Sequence, residues 1–251
     1  MANPQNKVAL ITGGSRGIGK SIAMEFGSLG YDIVFNYFRN HKAADKAQRQ
    51  IEELGVKCLK LRAHLAEPDQ ISKMFQSITR QFDTMDVLIN NAASGVQRKV
   101  DELTPKHWDW AMNINARAPW LCSIKASELM PEGGSIVNIT SEGSRTVLPY
   151  YLSVGTSKAA LETLTRYLAV ELAEKDINVN AISGGYIETD AFDAFPNRES
   201  MASAGKKTLT GRKISVEDIA RVAAFLCSSD AHMIRGQILV VDGGVTLTAN
   251  L

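Results

Sequence analysis

Short runs rich in β-branched residues alternate along this 251-residue chain with helical segments of about 12 to 25 residues. Strands that alternate with helices favour a parallel sheet with helices on both faces. A chain of this length is long enough for one large core, so we expect a single doubly wound α/β domain over residues 1–251. The seven predicted strands are 8–12, 32–37, 56–61, 86–90, 135–140, 177–182 and 237–242.

A glycine-rich segment follows the first predicted strand directly and leads into a helix near Lys20. Glycines let the backbone approach a pyrophosphate, and free N–H groups at the helix start can hold the anion. The spacing, Gly-x3-Gly-x-Gly, is looser than the usual dinucleotide fingerprint, but its position between a strand and a helix predicts a Rossmann fold. The candidate cofactor-binding residues in this segment are Gly13, Ser15, Arg16, Gly17, Ile18 and Gly19.

The end of the second predicted strand indicates which dinucleotide binds. An acid near this point would hold the ribose 2′-hydroxyl of NAD, whereas the 2′-phosphate of NADP calls for arginine. No acid lies between Val34 and Asn40, while Arg16 and Arg39 are both available. The sequence therefore predicts NADPH as the cofactor, with two solvent-exposed arginines as the alternative.

Residues 141–158 hold the candidate catalytic groups, a serine, two tyrosines and a lysine. Leucines at helical spacing follow Lys158, so we expect a helix that begins near Tyr150 and carries Tyr151 and Lys158 on one face, about two turns apart. Ser141 ends the fifth strand, at the sheet edge where ligands bind in open α/β folds. A phenol and an ammonium in register suit proton donation. Two polar groups on a helix surface are the alternative.

These motifs resemble those of the short-chain dehydrogenase/reductase family. The helix expected from Pro105 to Met130, capped by Thr104, carries Asn115, which matches the family asparagine that binds a backbone carbonyl or a water in a proton relay. Lys158 would bond the nicotinamide ribose. The resemblance also implies cofactor contacts from Asn91, from the backbone of His64 and Leu65, and from Ile187 and Thr189.

The position of the tyrosine separates this chain from most of the family. The family tyrosine lies four residues before the lysine, where this chain has Val154, which cannot donate a proton. Tyr151 has six residues between it and Lys158, a spacing similar to that of the enoyl-acyl carrier protein reductases. The chain most resembles their NADPH-dependent type III over essentially its whole length. The matching stretches are 90–95, 107–110, 154–161, 183–185 and 195–198.

The spacing has a chemical reason of its own. In carbonyl reduction, hydride enters the carbon that bears the oxygen. In enoyl thioester reduction, hydride enters Cβ, and negative charge develops on an oxygen two bonds further away. A tyrosine three residues further from Lys158 along a helix is displaced by about 4.5 Å, in the direction that this more distant oxygen requires. Tyr151 would then stabilise or protonate the enolate oxygen. Ser141 occupies the family serine position, and its role stays open.

The leading interpretation is therefore reduction of trans-2-enoyl-acyl carrier protein in bacterial fatty acid elongation. A 3-oxoacyl thioester or other carbonyl reductase, and a non-catalytic NADP(H) sensor, are the alternatives. Acyl carrier protein is acidic, so a basic rim is expected, with Arg98, Lys99, Lys206 and Lys207 as candidates or simply a solvated surface. Residues 190–212 suit a lid over the acyl chain, or an ordinary surface excursion. A homotetramer is what the resemblance implies.

The composition argues against several other classes of function. Apolar residues make up 45% of the chain, charged residues 22%, and the net charge is +1, so neither nucleic-acid binding nor a polybasic membrane face is expected. No apolar run could span a bilayer, and the N-terminus lacks the core of a signal peptide, which predicts a cytoplasmic protein. The three cysteines are far apart, so no metal site is expected.

Overall fold

The computed structural model describes residues 6–187 and 208–247. Within these residues the strands are β1 Val8–Ile11, β2 Asp32–Tyr37, β3 Cys58–Arg62, β4 Val87–Asn90, β5 Gly134–Ser141, β6 Ile177–Gly184 and β7 Ile238–Val241. These seven parallel strands form one sheet in the order β3-β2-β1-β4-β5-β6-β7. The doubly wound sheet predicted from the sequence is confirmed, and each predicted strand boundary lies within two residues of the observed one.

Helices cover both faces of the sheet. The α-helices of the described residues are α1 Gly17–Ser28, α2 His41–Glu52, α3 Pro68–Ile78, α4 Pro105–Met112, α5 Ala118–Ser127, α6 Leu152–Glu171 and α7 Val216–Leu226. Because successive strand residues point to opposite faces, the sheet has two apolar faces. Leu10 and Ile136 face one core, which α3, α5 and α6 cover, while Ile11 and Val137 face the other, which α1, α2 and α7 cover.

The helix expected from Pro105 to Met130 is interrupted. Thr104 caps it as predicted, since its side chain accepts a hydrogen bond from the His107 N–H at 3.4 Å. A π-helical turn, Asn113–Arg117, then separates α4 from α5, and α5 ends at Ser127. Such turns are frequent at functional sites, and this one carries Asn115.

The region expected to form a lid is described only in part. Residues 190–207, which include Lys206 and Lys207, lie outside the described residues, and so does Thr189. Residues 208–212 form a turn in which the Thr208 hydroxyl donates to the Arg212 carbonyl at 2.7 Å. In the part of the chain that is described, none of the helices is long and apolar enough to cross a membrane.

Candidate active site

The glycine loop, defined as residues 12–19, is held in place by contacts with residues 91–95, the segment after β4. The Asn91 side chain donates to the carbonyl oxygens of Thr12 at 2.9 Å and Gly13 at 3.2 Å, and the Asn91 N–H donates to the Thr12 hydroxyl at 2.9 Å. A Cβ at Gly19 would lie 2.4 Å from both Asn91 Nδ2 and the Gly13 oxygen. Gly17 has φ +53, a conformation that favours glycine. Gly19 therefore has no room for a larger side chain, and a larger residue at Gly17 would be strained by its backbone conformation.

The glycine loop delivers the N-terminus of α1 to the carboxyl end of the sheet. Arg16 is the N-cap residue, is exposed, and makes no side-chain hydrogen bond to the helix. The first turn contains no acidic residue, and its backbone N–H groups have no partner within the helix. Ser15 and Ile18 are half-buried beside Arg16. This arrangement fits an anionic group such as a dinucleotide pyrophosphate.

Arg39 follows β2 and lies against aromatic rings. Its guanidinium carbon is 5.4 Å from the centre of the Phe38 ring and 5.9 Å from that of Trp110 on α4. Both contacts are of the cation–π type and hold an exposed arginine beside the sheet edge. Trp110 was not expected to contribute here, because its position on α4 is far from β2 in sequence.

The His64 ring packs edge-on against Phe38, with 4.2 Å between ring centres. The His64 N–H donates to the Gln70 side chain at 2.7 Å, so this backbone group is engaged within the protein. The buried Nδ1 atom of His64 has no partner among the described residues. The His64 backbone N–H is thus occupied by a protein partner, and a cofactor contact from the backbone of this residue stays a prediction. Leu65, the other predicted contact at this edge, is buried.

Helix α6 begins at Leu152, later than the predicted start near Tyr150. Tyr150 has φ +61, a left-handed conformation that cannot extend a right-handed helix. Tyr151 is therefore the N-cap residue, with φ −108, and does not belong to the first helical turn. The expectation that Tyr151 and Lys158 lie on one face of the same helix needs this correction, although Tyr151 stays at the N-terminal end of α6.

The Tyr151 ring lies in a narrow space between two glycines. A Cβ at Gly143 would lie 2.6 Å from the ring atoms Cδ1 and Cε1, and one at Gly155 would lie 3.5 Å from Cδ1. The Tyr151 hydroxyl and the side chain of Ser141, the last residue of β5, lie close enough to interact. Burial raises the pKa of the Tyr151 phenol, and the interaction with Ser141 lowers it by less. The phenol is therefore a protonated donor at neutral pH.

Lys158 lies deep in the site, on α6. Its side chain is buried, and its Nζ atom donates to the carbonyl oxygen of Ile139 at 2.7 Å. Burial lowers the pKa of Lys158 to about 8. An ammonium has three N–H donors, so the bond to Ile139 leaves two for other partners. Lys158 can hold a positive charge at neutral pH and donate hydrogen bonds to ligand hydroxyls.

Asn115 is fully buried and fixes the segment after β4. Its Nδ2 atom donates to the Ser94 carbonyl at 2.8 Å and to the Ser157 hydroxyl at 2.9 Å, and its Oδ1 atom accepts from the Ser94 N–H at 2.8 Å. The bond to a backbone carbonyl was predicted from the resemblance. Because Ser157 precedes Lys158 on α6, Asn115 also connects the segment after β4 to that helix.

Val154 occupies the position four residues before Lys158 and is buried. A Cβ at Gly95 would lie 2.3 Å from Val154 Cγ2, so the valine packs directly on the backbone of the segment after β4. An aliphatic side chain therefore fills this position.

The predicted residues fall into two groups. The side chains of Ser141 and Tyr151 lie close together, whereas Gly13, Arg16 and Gly19 lie in the glycine loop and Arg39 at the end of β2. Ile187 packs against the core on the α1 side of the sheet. Sequence reasoning did not find the contributions of Thr12, Trp110 and Gly143. Of these, only Thr12 had a signal in the sequence, a hydroxyl directly after β1.

Comparisons with known proteins show which families and structures this chain is similar to. A family model described as enoyl-(acyl carrier protein) reductase matches residues 13–246. The chain is 35% identical over 248 residues to 1-cyclohexenylcarbonyl-CoA reductase from Streptomyces collinus, covering 98% of this chain and 89% of that protein.

Two solved structures share the fold. A putative short-chain alcohol dehydrogenase from Sinorhizobium meliloti superposes with a TM-score of 0.90 at 29% identity, over 98% of this chain and 99% of that one. The angucycline C-6 ketoreductase LanV with bound NADP superposes with a TM-score of 0.89 at 31% identity, over 98% of both chains.

Proposed function

Because this chain belongs to the short-chain dehydrogenase/reductase family of oxidoreductases, we propose that it uses NADPH to reduce the trans-2 double bond of enoyl-acyl carrier protein in fatty acid elongation. The observation that carries the proposal is the replacement of the usual proton donor. Val154 fills that position, and the phenol beside Ser141 belongs to Tyr151.

The location of Tyr151 suits an enoyl thioester better than a ketone. Tyr151 lies at the N-terminal end of α6, three residues further from Lys158 than the position of Val154. The displaced phenol can reach an oxygen that is not bonded to the carbon accepting hydride. As negative charge develops on the thioester oxygen, the neutral phenol donates a hydrogen bond or a proton to it. The Ser141 side chain lies close to the phenol and would help to orient it.

The residues present fit NADPH. The glycine loop and the α1 N-terminus would hold the pyrophosphate, and Arg16 with Arg39 would bind the 2′-phosphate. Bound NADPH supplies the hydride. Lys158 would donate its remaining hydrogen bonds to the nicotinamide ribose, while its charge favours the developing anion. The similarity to a ketoreductase with bound NADP supports this choice of cofactor.

The substrate class has support from a relative. The Streptomyces collinus protein is named for an unsaturated acyl-coenzyme A thioester. Acyl carrier protein as the thioester carrier is supported by exposed Arg98 and Lys99 beside the segment after β4, where an acidic partner could bind. Exposed apolar side chains on α5 and α6, among them Trp120 and Tyr167, support a homo-oligomer of the tetrameric kind, which light scattering would measure.

Carbonyl reduction is the second candidate. It is favoured by the similarity to a ketoreductase. In that case Tyr151, held by Ser141, would protonate the alkoxide formed directly at the reacting carbon. The two candidates differ in which thioester is reduced and share the same phenol, so one experiment separates them.

The test compares crotonyl and acetoacetyl thioesters, each on acyl carrier protein and on coenzyme A, with NADPH and NADH. We expect turnover of crotonyl-acyl carrier protein with NADPH, and a roughly 1000-fold lower kcat in Tyr151→Phe, which loses only the hydroxyl. Tyr150→Phe is the matched control, because it removes the neighbouring hydroxyl and should retain activity. Preference for the acetoacetyl substrate would establish the second candidate, and cofactor binding without turnover would leave an NADP(H) sensor.

A further inference from the structure

Glu162 is a buried carboxylate that the proposed chemistry does not use. It lies on α6, four residues and about one helical turn beyond Lys158, and only 5% of its surface is exposed. A buried charge is costly unless hydrogen bonds compensate for it. Glu162 Oε1 accepts from the hydroxyls of Thr140 at 3.2 Å and Ser144 at 2.5 Å, and Oε2 accepts from Arg145 Nε at 3.0 Å.

All three partners belong to one segment, the end of β5 and the turn that follows it. Residues Glu142–Ser144 form a single 3-10 turn directly after Ser141. The Ser144 hydroxyl oxygen lies 2.7 Å from the Ser141 carbonyl oxygen as well as 2.5 Å from Glu162. The carboxylate therefore holds both the start and the end of this turn against α6.

The same turn contacts the Tyr151 ring. The Gly143 N–H donates to the Ser141 hydroxyl at 3.2 Å, and the ring packs on the Gly143 backbone so closely that a Cβ there would lie 2.6 Å away. The Ser141 side chain also lies close to the Tyr151 hydroxyl. Contacts thus lead from Glu162 through the turn to Ser141 and to the Tyr151 ring.

A carboxylate suits this position better than an amide. Two oxygen atoms accept from two hydroxyls and one guanidinium N–H. Glutamine at position 162 would offer one acceptor and would direct an N–H2 group either at Arg145 or at the hydroxyls. Its shape would be retained, while one side of the network would lose its hydrogen bonds.

We propose that Glu162 is a positioning residue for Tyr151: its carboxylate fixes the turn after β5, and thereby the positions of Ser141 and of the Tyr151 ring that packs on Gly143. The inference rests on the proposed function in one respect, namely that Tyr151 is the proton donor. It does not depend on whether the substrate is an enoyl or a 3-oxoacyl thioester.

The kinetic test uses a double-mutant cycle on the full-length protein. Glu162→Gln should lower kcat roughly 10-fold, because a displaced donor group slows the chemical step. The KM values for NADPH and for the thioester should stay within about two-fold, because the glycine loop is not touched. In a Tyr151→Phe background the same substitution should have almost no effect on kcat, because the group it positions is gone.

Two further variants keep the test interpretable. Glu171→Gln, an exposed residue on the same helix, should leave kcat unchanged and is the matched control. Ser144→Ala removes one contact between Glu162 and the turn, and it replaces Glu162→Gln if that variant does not fold. Equal losses of kcat in the wild-type and Tyr151→Phe backgrounds would overturn the proposal, since they would indicate a general structural role.

A readout without turnover separates this inference from the proposed function. The 13Cζ resonance of Tyr151, assigned by its loss in Tyr151→Phe, reports the hydrogen bond at the phenol oxygen. It should move in Glu162→Gln and stay in place in Glu171→Gln, even if neither thioester proves to be a substrate. An unchanged resonance in Glu162→Gln would overturn the positioning role, whereas absent turnover by the wild type would overturn only the proposed function.

Discussion

Two loops meet at the carboxyl end of the sheet, and they are held in place by different means. The glycine loop is held through its own backbone, because its carbonyl oxygens at Thr12 and Gly13 accept hydrogen bonds from the Asn91 side chain. The tyrosine loop, residues 142–151, is held by side chains, chiefly the buried Glu162 and the hydroxyl of Ser144. Backbone contacts suit a loop that binds an anion, since N–H groups are present whatever the side chains are.

The two regions also differ in how deeply their charged side chains are buried. Arg16 and Arg39 beside the glycine loop are exposed, whereas Lys158 and Glu162 beside the tyrosine loop are buried. An exposed cation attracts a charged ligand at little cost, while a buried one is expensive and is favourable only where negative charge develops. The comparison predicts that changes in the first region affect binding and changes in the second affect chemistry and pH dependence.

The largest expected effect concerns the buried charge of Lys158. Its pKa of about 8 in the folded state is below the ordinary 10.5, so between these values the unfolded chain binds more protons and the free energy of unfolding rises with pH. Across this window we expect Lys158 to contribute an increase of about 3 kcal/mol. Urea denaturation at both ends of the window should show this increase in the wild type and lose it in Lys158→Met.

Arg39→Met is the control for this measurement, because it removes an exposed charge from the other region. It should retain the pH dependence of the wild type. If Lys158→Met retained it as well, the buried lysine would not be the source, and the contrast between the two regions would fail.

The next effect tests the glycine loop. In Gly19→Ala the new Cβ would meet Asn91 Nδ2 and the Gly13 oxygen at 2.4 Å. Overpacking of about 2 kcal/mol would weaken NADPH binding roughly 30-fold. Fluorescence titration measures the Kd, and kcat at saturating cofactor should change little. A large loss of kcat with an unchanged Kd would contradict the assignment of this loop to binding.

The smallest effect makes the matching change in the tyrosine loop. In Gly143→Ala the Cβ would lie 2.6 Å from the Tyr151 ring, which must then shift. We expect kcat to fall roughly 10-fold through misplacement of the phenol, with the NADPH Kd unchanged. Steady-state kinetics and the same titration measure both quantities. An altered Kd would show that the two loops do not act separately.

Much of the fold and part of the site could be predicted from local sequence. Val8–Ile11 followed by glycines predicted both a strand, which the structure confirms, and an anion site, because those properties depend on neighbouring residues alone. The start of α6 could not be placed in this way. Tyr150 adopts a left-handed conformation that no local preference of tyrosine predicts, and it moves Tyr151 out of the first helical turn.

The sequence by itself determined the alternation of strands and helices, the glycine loop, and the presence of Val154 where a tyrosine is usual. Only the tertiary structure decided which residues pack on Tyr151 and which hold the turn beside it. Gly143 packs on the ring and Glu162 holds the turn, and both contacts depend on how α6 packs beside β5. Backbone periodicity is encoded over a few residues, whereas a buried hydrogen-bond network depends on positions that the whole fold must first bring together.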